Sequence, residues 1–189
     1  MKRTSLIIIS MFLITSELIS QKMEVPVEIQ VPMLLKILTF DRNLEKRSGK
    51  KLTIGIIYQS KYKESFDAKD EFIKSINKMS IKRVKDIPIN LVPIDVDSSD
   101  LEGAVSKNEV NALYIAPLRA FDIGKVIKVS QDNKILSMTG VIEQINSGIS
   151  IGIGAKGDKP LIIINLRSAK LEGADFSSQL LKLAKIIGE

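Results

Sequence analysis

Leu52-Thr53-Ile54-Gly55-Ile56-Ile57-Tyr58 is a short, almost wholly apolar run rich in isoleucine. Polar residues do not alternate through it, so it reads as a strand covered on both faces, as strands inside parallel sheets are. Outward from this run, Tyr62 to Met79 reads as an amphipathic helix, with Phe66, Phe72, Ile73 and Ile76 available for its buried side. Ile89 to Val96 is a second strand, and Pro93 within it argues for an edge position or a bulge, because proline cannot donate to a ladder. Ser99 and Glu102 have capping-box spacing, which predicts a short helix starting there. Ala112 to Ala116 is a third buried strand, Phe121 to Gln131 a helix, Ile135 to Met138 a fourth strand, and a short helical segment follows Gly140. Ahead of the first strand, Val25 to Leu38 reads as a helix with Ile29, Met33 and Ile37 at four-residue spacing. Pro32 lacks an N–H and should kink that helix or mark a first turn. Strands alternating with helices specify an α/β fold, a mostly parallel sheet with helices on both faces.

The end of the chain changes character. Ile149 to Ala155 and Pro160 to Leu166 are apolar runs joined by Lys156-Gly157-Asp158-Lys159, a turn short enough for a closing antiparallel hairpin. Ser168 to Leu171 looks helical, Gly173 breaks it, and Phe176 to Ile187 predicts a C-terminal helix. Its buried stripe would be Phe176, Leu180, Leu183, Ala184 and Ile187. Gly152-Ile153-Gly154-Ala155-Lys156-Gly157 matches the dinucleotide fingerprint in letters. That motif works only where a helix starts straight after it, so that backbone N–H groups meet a phosphate. Here Pro160 and a second strand follow instead, so the glycines belong to the hairpin.

The N-terminus bears on location. Lys2 and Arg3 precede an apolar run from Leu6 to Ile14, and Ser20 stands just before the polar Gln21. This is the pattern of a cleaved secretory signal over residues 1–20. An uncleaved anchor would need roughly 20 apolar residues. Lipid attachment is ruled out because the chain has no cysteine. The remaining residues, 21–189, are expected to form one domain, large enough to bury about 70 % of its unfolded surface without disulfides. The chain contains neither histidine nor cysteine, which removes a serine triad, a thiol nucleophile and the usual zinc ligands. Net charge is +6, but the lysines are spread along the chain and aromatic residues are few. A solvated basic surface accounts for that better than nucleic acid does. The Lys82-Arg83-Val84-Lys85 cluster reads as a wet, mobile loop.

No catalytic, cofactor or metal residue is therefore assigned. Asp95, Asp97 and Asp100 lie close in sequence and carry oxygen ligands, but EF-hand spacing and its glycine are missing. An ordinary strand-to-helix corner explains them. Ligands of open α/β sheets bind beyond the carboxyl ends of the strands. A small-molecule crevice would accordingly involve Tyr58, Gln59, Ser60, Asp97, Ser98, Pro117 and Thr139.

Ile164-Asn165, Ala169, Gly173 and Ser177-Ser178-Gln179-Leu180-Leu181-Lys182-Leu183-Ala184 resemble the closing motif of the YfiR-like family of periplasmic proteins. Leu113-Tyr114-Ile115 and Ile135-Leu136-Ser137-Met138-Thr139 resemble its central and later strands, and the similarity spans Val25 to Ile187. The resemblance implies a periplasmic regulator without catalytic activity. Such a protein would bind the periplasmic part of an inner-membrane signalling protein, a diguanylate cyclase or a sensor kinase, and lower cyclic-di-GMP signalling and biofilm formation. It also implies a homodimer. The chain departs from the family in lacking cysteine, and in carrying Phe40-Asp41 where many members have an aromatic-Pro pair. Two functions are thus expected. The first is an interaction protein acting on a membrane signalling partner; the alternative is a ligand-binding module resembling one lobe of a solute-binding protein.

Overall fold

In a computed structural model that describes residues 23–80 and 82–188, the elements follow the predicted alternation. They are α1 (Val27–Leu38), α2 (Leu44–Ser48), β1 (Leu52–Tyr58), α3 (Lys63–Lys78), β2 (Arg83–Val84), β3 (Ile87–Asp95), α4 (Leu101–Lys107) and β4 (Ala112–Ile115). After these come α5 (Ile123–Asp132), β5 (Leu136–Thr139), α6 (Ile142–Ser147), β6 (Ile151–Lys156), β7 (Lys159–Asn165), α7 (Leu166–Leu171), α8 (Ser178–Leu183) and β8 (Lys185–Ile187). The predicted export signal, residues 1–20, lies outside the described residues.

One sheet carries the order β2-β3-β1-β4-β5-β6-β7-β8. Strands β3, β1, β4, β5 and β6 run parallel, β7 returns antiparallel along β6, and β8 runs parallel to β7. Alternation along the strands separates two apolar layers, because successive side chains point to opposite faces. Ile54, Ile56, Ala112, Tyr114 and Met138 meet α1 and α3 on one face. Ile57, Leu113 and Ile115 meet α4 and α5 on the other. Tyr114 is the largest fully buried side chain; its ring stacks on Phe72 with centroids 4.3 Å apart. Its hydroxyl donates to Gln30 Oε1 at 3.3 Å, and burial pushes the phenol well above its ordinary pKa.

Four local expectations need correction. Helix α1 runs on through Pro32, and it buries Val27, Val31, Leu34 and Leu38 while Ile29 stays exposed. Four residues advance a helix by about 400°, so a strict four-residue row drifts roughly 40° per step and walks off the core face. Only Ile37, at the end of that row, is buried. In α3, Phe72 and Ile76 are buried as expected, whereas Phe66 remains exposed. The cap of α4 is Asp100, not Ser99, and its carboxylate accepts from Gly103 N at 2.8 Å. The basic cluster is not a loose loop: Arg83 and Val84 form β2 along the outer edge of β3. Lys82 bonds Asn77, and Lys85 pairs with Glu45 at 3.1 Å. Pro93 does lie on a strand near the sheet edge, since only the short β2 flanks β3.

The C-terminus differs most. The predicted helix to Ile187 stops at Leu183, which is 65 % exposed, and Ala184 is already extended. Lys185-Ile186-Ile187 then pair with Ile163-Ile164-Asn165. Strand β7 would otherwise present an unpaired edge, and two adjacent β-branched residues suit a strand better than a last helical turn.

The hairpin reading of the glycines holds. Gly157 has φ +60° at the first central position of a two-residue turn, where a II′ turn requires a positive φ. Gly152 and Gly154 lie within β6 because α6 sits on them. A Cβ on Gly152 would be 1.7 Å from Ile145 Cδ1, and one on Gly154 would be 2.4 Å from Ile142 Cδ1. Ile145 is fully buried, so moving its side chain aside would mean repacking the layer around it. Gly152→Ala should therefore destabilise the protein by about 1–3 kcal/mol, read as a lower urea midpoint. An unchanged midpoint would show that α6 is free to lift off the strand.

Candidate functional site

The carboxyl ends of β1, β3 and β4 do bring several of the predicted crevice residues together. Gln59, the first residue beyond β1, is buried, and both ends of its amide are occupied. Its Nε2 donates to Asp97 Oδ1 at 3.1 Å, and its Oε1 accepts from Arg119 N at 2.6 Å. Asp97 Oδ2 accepts from Lys61 N at 2.9 Å, which fastens the loop after β1 to the loop after β3. Asp95 Oδ1 accepts from the backbone N–H groups of Ser60 and Asp97, both at 3.1 Å, and its Oδ2 accepts from Ser98 Oγ at 3.0 Å. Desolvation alone would raise the Asp95 pKa, but the hydrogen bonds from Ser60, Asp97 and Ser98 outweigh it and hold the carboxyl below its ordinary value.

Two of the predicted residues stand apart from this cluster. Thr139 is fully buried; its hydroxyl accepts from Val141 N and lies 3.0 Å from Ile115 O and 2.6 Å from Gln144 Oε1. It braces the start of α6 from inside. Pro117 is likewise buried at the end of β4. Tyr58 is half-buried beside Phe66, and Lys69 places its ammonium 5.0 Å from the Tyr58 ring centroid and 3.8 Å from that of Phe66. Arg119 and Lys69 were not singled out in the sequence. One contributes only a backbone N–H, and the other looks like any helix lysine until its fold neighbours are known. The Asp95, Asp97 and Asp100 carboxylates serve as loop and helix-cap acceptors, and no group of three or more acidic residues converges as a metal site among the described residues. As a chemical device, this end of the sheet orders its loops: donors and acceptors meet each other.

A second polar cluster went unnoticed in the sequence. Glu172, at the C-terminal end of α7, is fully buried. Its Oε1 lies 2.7 Å from Ser130 Oγ and 2.6 Å from Ser137 Oγ, while Oε2 accepts from Ser137 N at 2.8 Å and from Ser150 Oγ at 2.5 Å. One carboxyl thus joins α5, β5 and the entry to β6 to the C-terminal segment. Among the described residues no Lys or Arg pairs with it. Burial pushes its pKa above the ordinary value, and the hydrogen bonds offset only part of that effect. A proton on Oε1 has an acceptor in Ser130 Oγ, whose own hydrogen can go to Ile127 O at 2.9 Å.

The family model described as YfiR/HmsC-like matches residues 28–185, and the chain belongs to this family. A comparison with curated proteins gives no match. Among solved structures, the chain is similar to an ABC domain in complex with L-Trp from Streptococcus pneumonia, with a TM-score of 0.58 and 15 % identity over 86 % of this chain and 62 % of that one. It is also similar to a conserved domain protein from Vibrio cholerae O1 biovar El Tor, with a TM-score of 0.57 and 16 % identity over 85 % of this chain and 60 % of that one. A third is the ligand-free, open CD0873, a substrate binding protein with adhesive properties from Clostridium difficile. There the TM-score is 0.51 and the identity 17 %, over 77 % of this chain and 57 % of that one. At these identities the likeness is one of fold, and the chain spans only about three fifths of each neighbour.

The Glu172 cluster makes two predictions. Glu172→Ala strands the Ser137 and Ser150 hydroxyls and one backbone N–H, while Ser130 keeps Ile127 O, and should cost about 3 kcal/mol or more in urea unfolding. The pH dependence has a definite sign. Because the folded-state pKa is raised, the group's contribution to stability is complete below the unfolded value near 4.5 and is lost as pH rises through the folded value. Wild-type stability relative to Glu172→Gln should therefore fall across that window, measured from about pH 4 to 8. Parallel pH profiles for the two proteins would contradict a buried, uncompensated carboxyl.

Proposed function

We propose that the chain is a non-catalytic periplasmic regulator that binds the outward-facing part of an inner-membrane signalling protein, a diguanylate cyclase or a sensor kinase. The observation that carries this reading is the family match over residues 28–185, which takes in β1 to β7 and both C-terminal helices. The chemistry of the chain supports it. Histidine and cysteine are absent, and the carboxylates at the strand ends are tied to backbone donors. On this reading residues 1–20 are an export signal and residues 21–189 the functional domain. Control requires that the partner's active and inactive states be bound with different affinity; about 1.4 kcal/mol of difference gives a tenfold bias.

A second reading follows from the fold neighbours, one solved with L-Trp and another named a substrate binding protein. It would place a small ligand at Tyr58, Gln59, Ser60, Asp97 and Ser98. The occupied Gln59 and Asp97 side chains favour the first reading, because a ligand there would have to displace protein bonds that already hold the loops.

The test uses immobilised mature protein and detergent-solubilised inner membranes, with cyclic-di-GMP measured in cells lacking the gene. Enrichment of a membrane protein with an outward-facing domain and a cytoplasmic signalling output, together with a several-fold change in cyclic-di-GMP or in kinase output, is expected. Recovery of no integral membrane protein contradicts the proposal. A thermal shift of several degrees with a single metabolite would favour the ligand-binding reading instead.

A further inference from the structure

At the opposite end of the sheet, before β1 and β4 begin, lies an open cleft of about 510 Å³. Lys46, Arg47, Lys50 and Lys51 line it, against a single acid, Glu109. Its inner wall contains unmatched polar groups. The Arg47 side chain is only 10 % exposed, and its Nη2 meets Asp41 Oδ2 at 2.5 Å. Its Nε and Nη1 are buried with no hydrogen-bond partner among the described residues. Thr53, fully buried on the same cleft, has a hydroxyl that is likewise unpartnered. The neighbouring Asn111 is already committed: its Oδ1 accepts from Thr53 N at 2.9 Å and its Nδ2 donates to Arg47 O at 3.3 Å. These bonds tie the backbone of α2 to the start of β1, on the same cleft.

Buried donors without acceptors are rare in folded proteins because each forfeits its hydration without compensation. A guanidinium with two nitrogens free and a hydroxyl without a partner, lining one cleft beneath a rim of lysines, match the needs of one chemical group. We propose that this cleft binds a phosphate-type oxyanion. The free Arg47 Nη1 donor and the Thr53 hydroxyl would take its oxygens, and Lys50 and Lys51 would supply the field that draws it in. A phosphate monoester and a phospholipid headgroup share this chemistry. The site is independent of the strand-end crevice and of the partner reading, and its test does not use the membrane partner.

Titration calorimetry of the mature protein with inorganic phosphate and with glycerol 3-phosphate, at matched ionic strength, tests a soluble source. Flotation with phosphatidylglycerol vesicles, against phosphatidylcholine vesicles, tests a lipid source. Two variants separate recognition from folding. Thr53→Val removes only an unpartnered hydroxyl, so its urea midpoint should not fall. The double exchange Lys50→Ala and Lys51→Ala alters exposed side chains. Saturable binding in either arm that weakens with salt, and that each variant reduces by about tenfold, is the expected result. The arm that responds identifies the source. Absence of binding in both arms, or binding that both variants leave unchanged, overturns the proposal.

Discussion

Glu172 puts an ionisable group where water does not reach, and the C-terminal half of the fold is arranged around it. Three serines from three different places in the chain, Ser130, Ser137 and Ser150, converge on its two oxygens. A buried carboxyl costs several kcal/mol unless it is hydrogen-bonded, so the segment that carries it has one low-energy position. That position fixes α7, and through it the turn at Gly173 that delivers Phe176 and Leu180 into the core. A second clasp acts in the same sense. Asp41 is fully buried, pairs with Arg47 and accepts from Asp175 N at 3.0 Å, and Phe40 O accepts from Ser177 N at 3.0 Å. Asp41 is thus one of the residues that tie the segment after α1 to the C-terminal segment.

The buried strands were legible because their signal is local. Leu52–Tyr58, Ala112–Ile115 and Leu136–Thr139 are apolar on both faces, and each run states its own environment. The hairpin was legible for a similar reason, from glycine and a short polar turn between isoleucine runs. The last strand was not. Lys185-Ile186-Ile187 continues a helical stripe on paper, and only the free edge of β7 decides that it pairs instead. Ile29 failed for geometric reasons, and Phe66 stays exposed because it packs beside Tyr58 and Lys69 at the rim of the sheet instead of beneath it.

The candidate site was half legible. The rule about strand ends led to Gln59 and Asp97, which do meet. It could not show that their polar atoms would be consumed by the loops, since Arg119 offers a backbone N–H that any residue would have. Glu172 was invisible for the opposite reason: nothing in a lone glutamate beside a glycine announces burial, and its three partners lie 22, 35 and 42 positions away. What Gln59, Asp97 and Glu172 share is a structural use: each holds segments of the chain together.

The central claim is that the C-terminal segment is an integral clasp of the fold, not an appended arm. Native-state hydrogen exchange under increasing urea measures this directly. The amides of Ser137, Glu172 and Ala174, bonded to Glu172 Oε2, Ser168 O and Ala169 O, should exchange only through global opening, with the same free energy as the amides of β1 and β4. Exchange of residues 166–188 through a separate, lower-energy opening, with β1 and β4 still protected, would contradict the account.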